Sequence, residues 1–349
     1  MSNTSEADAQ NALTAKLDRT PLSRVESIAA QYFCIAGRAS VLSSERDETF
    51  LIETADGMRA VLKIANTAER ADILTFQTDA LRHLERKQIE LPLPKAIPAS
   101  NGHFLLKLSL GSDLRFVRML TFLDGVQLHR VPKSTSQMHA LGVSLARLGQ
   151  GLADFRAAPP VQQLLWDICN AAALRPLIGH VAPSRRAPVL SALDAFDRLT
   201  PAMSRLPRQV IHNDFNPHNI LVSPDDSTEI TGVIDFGDLV EAPLVNDLAV
   251  ALSYQAGGEN GMENMLAMLR AYHSIRPLSQ AELAALPCLL RTRLAMTVLI
   301  PEWRAGLYPD NRDYILRNHP SALAGLNRLA DHSDEALAAL FQQTTGDLS

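Results

Sequence analysis

The stretch VIHNDFNPHNILV, residues 210–222, sets three polar residues, His212, Asp214 and Asn219, between two short apolar runs. Short β-branched runs around a centre rich in Asn and Pro read as two strands joined by a loop. GVIDFGD (232–238) follows as a further β-run that turns at Gly237. Asp214 and Asn219 thus share one loop, and Asp235 ends the neighbouring strand. Two carboxylates and an amide can then converge on one small volume. Oxygen ligands of this kind suit Mg²⁺, which keeps several waters and takes its other ligands from one or two carboxylates and substrate phosphates. A carboxylate that does not bind metal can orient a hydroxyl and accept its proton.

On the N-terminal side, the pattern is β-rich. ASVLSS (39–44), ETFLIET (48–54), RAVLKIA (59–65), HFLLKLSL (103–110) and LRFVRMLTFL (114–123) read as strands. VESIAAQYFCI (25–35) has helical spacing, and so does 70–86, where Ile73, Phe76, Ala80, Leu81 and Leu84 share one side. LDGVQLHRVP (123–132) breaks the pattern and reads as a linker. Helices are expected beyond it at 134–157, 161–178, 187–204, 244–256, 260–274, 279–305 and 321–342, interrupted by the β island at 209–236. The expected fold is α+β with two lobes, a small β-rich lobe with one main helix and a larger, mostly helical lobe. The expected divisions are a flexible or helical arm at 1–20, an N-lobe at 21–122, a hinge at 123–132 and a C-lobe at 133–345.

The totals narrow the classes. A chain of 349 residues suits two lobes. A net charge of −5 without a long basic run argues against a nucleic-acid partner. Cys34, Cys169 and Cys288 have no metal-ligand spacing and suggest a reducing compartment. The polar start MSNTSEADAQ lacks the apolar core of a secretory signal. No run approaches the roughly 18 apolar residues of a spanning helix, and LAMTVLI (294–300) reads as buried helix. A cytoplasmic protein with no membrane partner is expected, and the oligomeric state is left open.

The spacing H-x-D-x-x-x-x-N followed by D-F-G is that of a phosphoryl-transfer loop and its metal segment. It assigns Asp214 as the catalytic base and Asn219 and Asp235 as metal ligands, with His212 bracing the loop. Such a loop calls for a phosphate-binding lysine on the third strand of the β-rich lobe, and AVLKIA supplies Lys63. Only nine residues separate Gly237 from Asp247, too few for the activation segment with which a protein kinase grips a peptide. LSSERDETF has no glycine repeat, so Ser43, Ser44 and the backbone amides of a turn are the candidates for phosphate contact.

With these motifs the chain resembles the aminoglycoside phosphotransferase and choline kinase superfamily, small-molecule kinases with a protein-kinase-like fold. HNDFNPHNILV resembles its catalytic loop, GVIDFGD its metal segment and NDLAVALSY the helix that follows. LSSERDETFLI (42–52), LLWDI (164–168) and GVIDFGDLVEAPLVNDLAVALSY (232–254) are most similar to the hydroxylysine kinase-like branch. The resemblance implies transfer of the γ-phosphoryl of ATP or GTP, with Mg²⁺, to an alcohol hydroxyl. The hinge around Thr121 and Leu123 would meet the base, and Ile234 would cover it. Asp247 would cap a helix and brace the loop. The glutamate that usually pairs with the lysine is replaced by Gln77. Asp167, Asp238 and Glu302, with Trp166, Glu241 and Trp303, are candidates to hold a cationic acceptor. The leading acceptor is 5-hydroxylysine or a related hydroxylated amino compound, with aminoglycosides, choline and homoserine as alternatives. Other classes weighed are an inactive nucleotide- or metabolite-binding regulator, a phosphate-releasing hydrolase and a metal hydrolase using His212, Asp214 and His218.

Overall fold

A computed structural model describes residues 20–44, 47–158 and 164–346. The arm expected at 1–20 lies, apart from Thr20, outside the described residues. The chain divides into two compact units. One holds the segments up to Gln88 and Pro92–Asp124; the other holds Gly125–Phe155 and everything from Leu164 onward.

The first unit opens with helix α1 (Leu22–Phe33), followed by β1 (Gly37–Leu42), β2 (Glu48–Thr54) and β3 (Arg59–Ile64). Helix α2 (Ala71–Lys87), β4 (Ala96–Ile97), β5 (Leu106–Leu110) and β6 (Asp113–Thr121) complete it. The strands form one antiparallel sheet in the order β1-β2-β3-β6-β4, with β5 on the other part of β6. Alternation along β3 buries Ala60, Leu62 and Ile64 and turns Lys63 to the other face, where it pairs in register with Thr49 and Arg118. Val25, Ile28 and Ala29 of α1 join Phe50, Ile52, Leu62, Val117 and Met119 in one core. Arg115 is 3% exposed; it bonds the Glu48 carboxylate at 3.0 Å and donates to the carbonyls of Ala65 and Ile64. Its guanidinium is therefore satisfied inside the sheet, as a buried charge requires.

The second unit begins with β7 (Val126–Gln127) and helix α3 (Thr135–Leu152), which Ser134 starts with a capping box closed by Gln137. The helix expected at 161–178 is, in its described part, a run of 3₁₀ turns at Ile168–His180. Pro176 inside that run cannot donate an α-helical bond. Next come α4 (Pro183–Met203), β8 (Arg208–Ile211), β9 (Ile220–Val222), β10 (Ile230–Val233), β11 (Val240–Pro243) and α5 (Val245–Ser253). The rest is α6 (Gly261–Ile275), α7 (Gln280–Leu307), the short α8 (Arg312–Ile315), α9 (His319–Ala330) and α10 (Asp334–Gly346). The single helix expected at 321–342 is thus divided, because Ser333 caps a new start by accepting from Ala336 N.

The β-ribbons position the loops. β9 pairs with β10 on one side and with β7 on the other, and β8 pairs with β11. The expected linker thus contributes a strand to the ribbon that carries the 210–222 stretch. Helix α7 is long and apolar enough to span a membrane, but 89% of its apolar window is buried inside the fold. Helices α3 and α6 meet at Gly142, where an added Cβ would lie 2.4 Å from the Met268 carbonyl.

Candidate active site

The loop after β8 is held from below by α5. The Asp247 carboxylate, 1% exposed, accepts from His212 N at 3.1 Å and from Asn213 N at 2.7 Å. Asn213 has φ +63°, a left-handed turn that Asn tolerates, and it redirects the chain so that Asp214 follows. Asp214 N donates to His212 Nδ1 at 3.3 Å, so this ring nitrogen is the acceptor. His212 Nε2 then carries the proton and donates to the Ile234 carbonyl at 3.2 Å. The buried imidazole links the loop to the end of β10, with its ring edge-on to Phe236 at 4.9 Å.

Asp214 and Asn219 touch directly. Asn219 Nδ2 donates to Asp214 Oδ2 at 2.7 Å and to the Asp214 carbonyl at 3.0 Å. With its amide nitrogen committed, Asn219 keeps its Oδ1 as the atom that could meet a cation. Ile234 N donates to the Asn219 carbonyl at 2.9 Å, which places Asp235 one residue from that contact. Asp235 itself has φ +61° and accepts from Gly237 N at 3.3 Å. Burial, then the charge of Asp238 and, more weakly, that of Asp235, push the Asp214 carboxyl up to about 7. Arg293 opposes them, with its Nη2 3.5 Å from Asp214 Oδ1. The Asp214 side chain keeps 24% of its surface open to solvent, while that of Arg293 keeps 1%. Protein therefore surrounds the carboxylate while leaving it an open side. The concentration of acids and the Asn219 oxygen form a donor set that fits a hard divalent cation. Among the described residues, no group of three or more His, Cys, Asp or Glu side chains could hold a metal, so such a cation would need the amide and substrate oxygens as well.

The residues expected to meet nucleotide belong to the sheet unit. Lys63 lies half-buried on β3, and Ser43 and Ser44 are exposed just after β1. Glu45 and Arg46, which follow, lie outside the described residues. Thr121 ends β6, where its hydroxyl accepts from Lys95 N at 2.9 Å and its amide donates to the Lys95 carbonyl. Leu123 is half-buried beside it. Gln77 is buried on α2.

The phosphotransferase enzyme family, APH, matches residues 38–286. The chain belongs to this family. Within the phosphotransferase family it is 24% identical over 328 residues to hydroxylysine kinase of Mus musculus, covering 87% of each chain. It is 34% identical over 255 residues to homoserine kinase of Rhodospirillum rubrum, covering 70% of this chain and 73% of that one. A microcompartment-associated aminopropanol kinase shares the fold, with a TM-score of 0.72 and 18% identity over 90% of this chain and 99% of the other. The chain is a small-molecule kinase of the phosphotransferase family, with a protein-kinase-like α+β fold.

The acids considered for the acceptor are scattered in this phosphotransferase. Asp238 lies close enough to Asp214 to raise its pKa. Asp167, 6% exposed, accepts from Cys169 N at 2.9 Å and starts the 3₁₀ run. Glu302 accepts from Ala182 N and Arg185 at 2.8 Å each and pairs with His319 at 2.7 Å. Trp166 packs against Arg293, whose guanidinium sits 5.0 Å from the indole centroid and also donates to the Trp166 carbonyl. Glu241 is exposed on β11, and Trp303 is half-buried on α7. Arg293 is the member of the site that sequence reasoning missed. Its signal is an arginine within the apolar stripe Leu286, Leu289, Leu290 and Leu294, where helical spacing demands burial. A buried arginine at helical spacing calls for an acid across the interface.

Proposed function

We propose that the enzyme transfers the γ-phosphoryl of ATP or GTP to the hydroxyl of 5-hydroxylysine or a related hydroxylated amino compound. The observation that carries this reading is the Asp214 carboxylate, gripped on one side by the Asn219 amide and on the other by Arg293. A carboxylate fixed in this way can orient an alcohol and accept its proton as the oxygen attacks phosphorus. The new O–P bond forms as the bond from the γ-phosphorus to the β-phosphate oxygen breaks, and a nucleoside diphosphate leaves. The transition state is loose, so positioning counts for more than base strength. Asn219 and Asp235 would hold Mg²⁺, whose charge neutralises the phosphate oxygens. Lys63 would contact the α- and β-phosphates, with Ser43 and Ser44 contributing, and the backbone near Thr121 and Leu123 would meet the base. The names of the mouse and Rhodospirillum relatives support a hydroxylated amino acid as acceptor.

An acceptor panel tests this. Purified protein with Mg²⁺ and either ATP or GTP is given hydroxylysine, homoserine, choline or an aminoglycoside. Acceptor-dependent nucleoside diphosphate and a phosphorylated hydroxylysine or homoserine are expected. Phosphate release without a phosphorylated acceptor would assign a hydrolase instead, and nucleotide binding without turnover a regulator.

A further inference from the structure

A cavity of about 150 Å³ lies within the helical unit beside the catalytic loop. Pro217 and His218 of that loop form one wall, and His129 and Lys133 from the segment after β7 form another. Tyr254, which follows α5, and Asn318, which starts α9, close it. The segment after β7 is tied to the loop: His129 N donates to the Pro217 carbonyl at 3.0 Å, and Gln127 Nε2 donates to the His218 carbonyl at 2.9 Å. The cavity and Asp214 are therefore carried by one framework. Tyr254 of the lining lies close enough to Arg293 and Asp214 for both charges to act on its hydroxyl, whose pKa burial raises.

No aspartate or glutamate lines this cavity, whereas a lysine and two histidines do. Lys133 Nζ spends one N–H on the Tyr254 carbonyl at 2.8 Å and has two more. The His129 and His218 rings lie 4.1 Å apart, and His218 Nε2 stands 3.4 Å from Asn318 Oδ1. Asn318, Ser321 and Ala322 bring the start of α9 to the cavity, and no side chain caps that helix end. A helix N-terminus adds partial positive charge to the lysine and imidazoles. Gln255, 3% exposed, also lines the space, and its Oε1 has no hydrogen-bond partner among the described residues. It is an acceptor available to a ligand N–H.

We infer that this cavity receives the carboxylate and amino group of an amino acid acceptor, with Lys133 pairing with the carboxylate and Gln255 taking the ammonium. This inference rests on the kinase reading and narrows its substrate class. A space of this size holds about six heavy atoms, which matches the carboxylate, α-carbon, amino group and β-carbon of an amino acid. Without a carboxylate in its lining, the cavity has no counter-charge for choline. The carboxylate is the feature that separates a hydroxylated amino acid from an amino alcohol such as aminopropanol.

Three acceptor pairs that differ in the carboxylate alone test the inference. They are homoserine with 3-amino-1-propanol, threonine with 1-amino-2-propanol, and 5-hydroxylysine with 1,5-diamino-2-pentanol. At least tenfold higher kcat/KM is expected for the carboxylate-bearing member of whichever pair is used. Lys133→Met should shrink that preference at least tenfold, chiefly through KM. Equal or better use of the decarboxylated member, or a preference untouched by Lys133→Met, would overturn the inference. Calorimetric binding of homoserine and hydroxylysine to the wild type and to Lys133→Met gives a readout independent of turnover. Binding weakened tenfold by Lys133→Met supports the cavity even if no phosphoryl transfer occurs, in which case the kinase reading alone fails. Absence of binding to the wild type, or displacement of the amino acid by inorganic phosphate at comparable concentration, counts against the cavity as a carboxylate site.

Discussion

Asp214 carries opposing demands. As the base of the proposed reaction it would have to be ionised to accept a proton, yet burial, then the charges of Asp238 and Asp235, push its pKa up to about 7. In the unfolded chain it titrates near the ordinary aspartate value of about 4. The folded state therefore binds the proton more tightly between these two values, and stability is lost as pH rises through that window. Asp214→Asn should remove this penalty. Whatever the loss of the Arg293 pair costs at every pH, the variant's melting temperature relative to the wild type's should rise from pH 4 to pH 8, measured with chelator present so that no cation masks the charge. The same variant should lose about a thousandfold in kcat, within the range for loss of a general base. Near-normal turnover in purified Asp214→Asn would remove its assigned role. Paired with Asp214 at 3.5 Å, Arg293 would act in the proposed reaction through that carboxylate. Arg293→Met should lower kcat by about ten- to a hundredfold with little change in nucleotide KM, and Arg293→Lys should recover part of the loss, because a cation returns without the bond to the Trp166 carbonyl.

Between helices, small residues set how closely the elements approach. Gly142 lets α3 lie against α6, where a methyl group would meet the Met268 carbonyl at 2.4 Å, the Ala271 methyl at 2.9 Å and Tyr272 N at 2.9 Å. Backbone cannot yield as a flexible side chain can, so Gly142→Ala should cost about 1–3 kcal/mol in denaturant unfolding. Gly149, on the same helix, differs. A methyl group there would reach only Leu244 Cδ1 at 3.4 Å. Gly149→Ala should be neutral or stabilising by up to ~1 kcal/mol, the helix-propensity difference. Opposite outcomes at two glycines of one helix would separate packing from propensity, and equal effects would refute the account.

The three thiols probe the packing of the whole molecule. Cys34 is exposed, Cys169 half-buried and Cys288 buried. Burial pushes the thiols of Cys169 and Cys288 up to about 12, with Asp167 adding to the shift at Cys169 and Asp334 at Cys288. The thiolate is the reactive form, so both should be inert at pH 8. A disulfide reagent should titrate one thiol in the native protein and three after denaturation. Rapid reaction of two or more native thiols would show that the helical unit opens far more readily than its packing implies.

Patterns that repeat within a few residues were legible in the chain itself. Short β-type runs marked β2 and β3, helical patterning marked α2, α5, α6 and α7, and the spacing of Asp214, Asn219 and Asp235 put the first two on one loop and the third at the end of the next strand. Each depends on local geometry, with period two or 3.6 along the chain or loop ends brought near by one ribbon. The tertiary structure decided what depends on partners distant in sequence. β7 and β11 are strands because β9 and β8 supply the hydrogen bonds their own short runs do not specify. Asp247 meets the loop from 34 and 35 residues away, and Arg293 reaches Asp214 across a helix interface. The lining of the cavity, with cations and amides but no acid, comes from five separate segments. No periodicity connects those segments, because burial of the whole core is what brings them together.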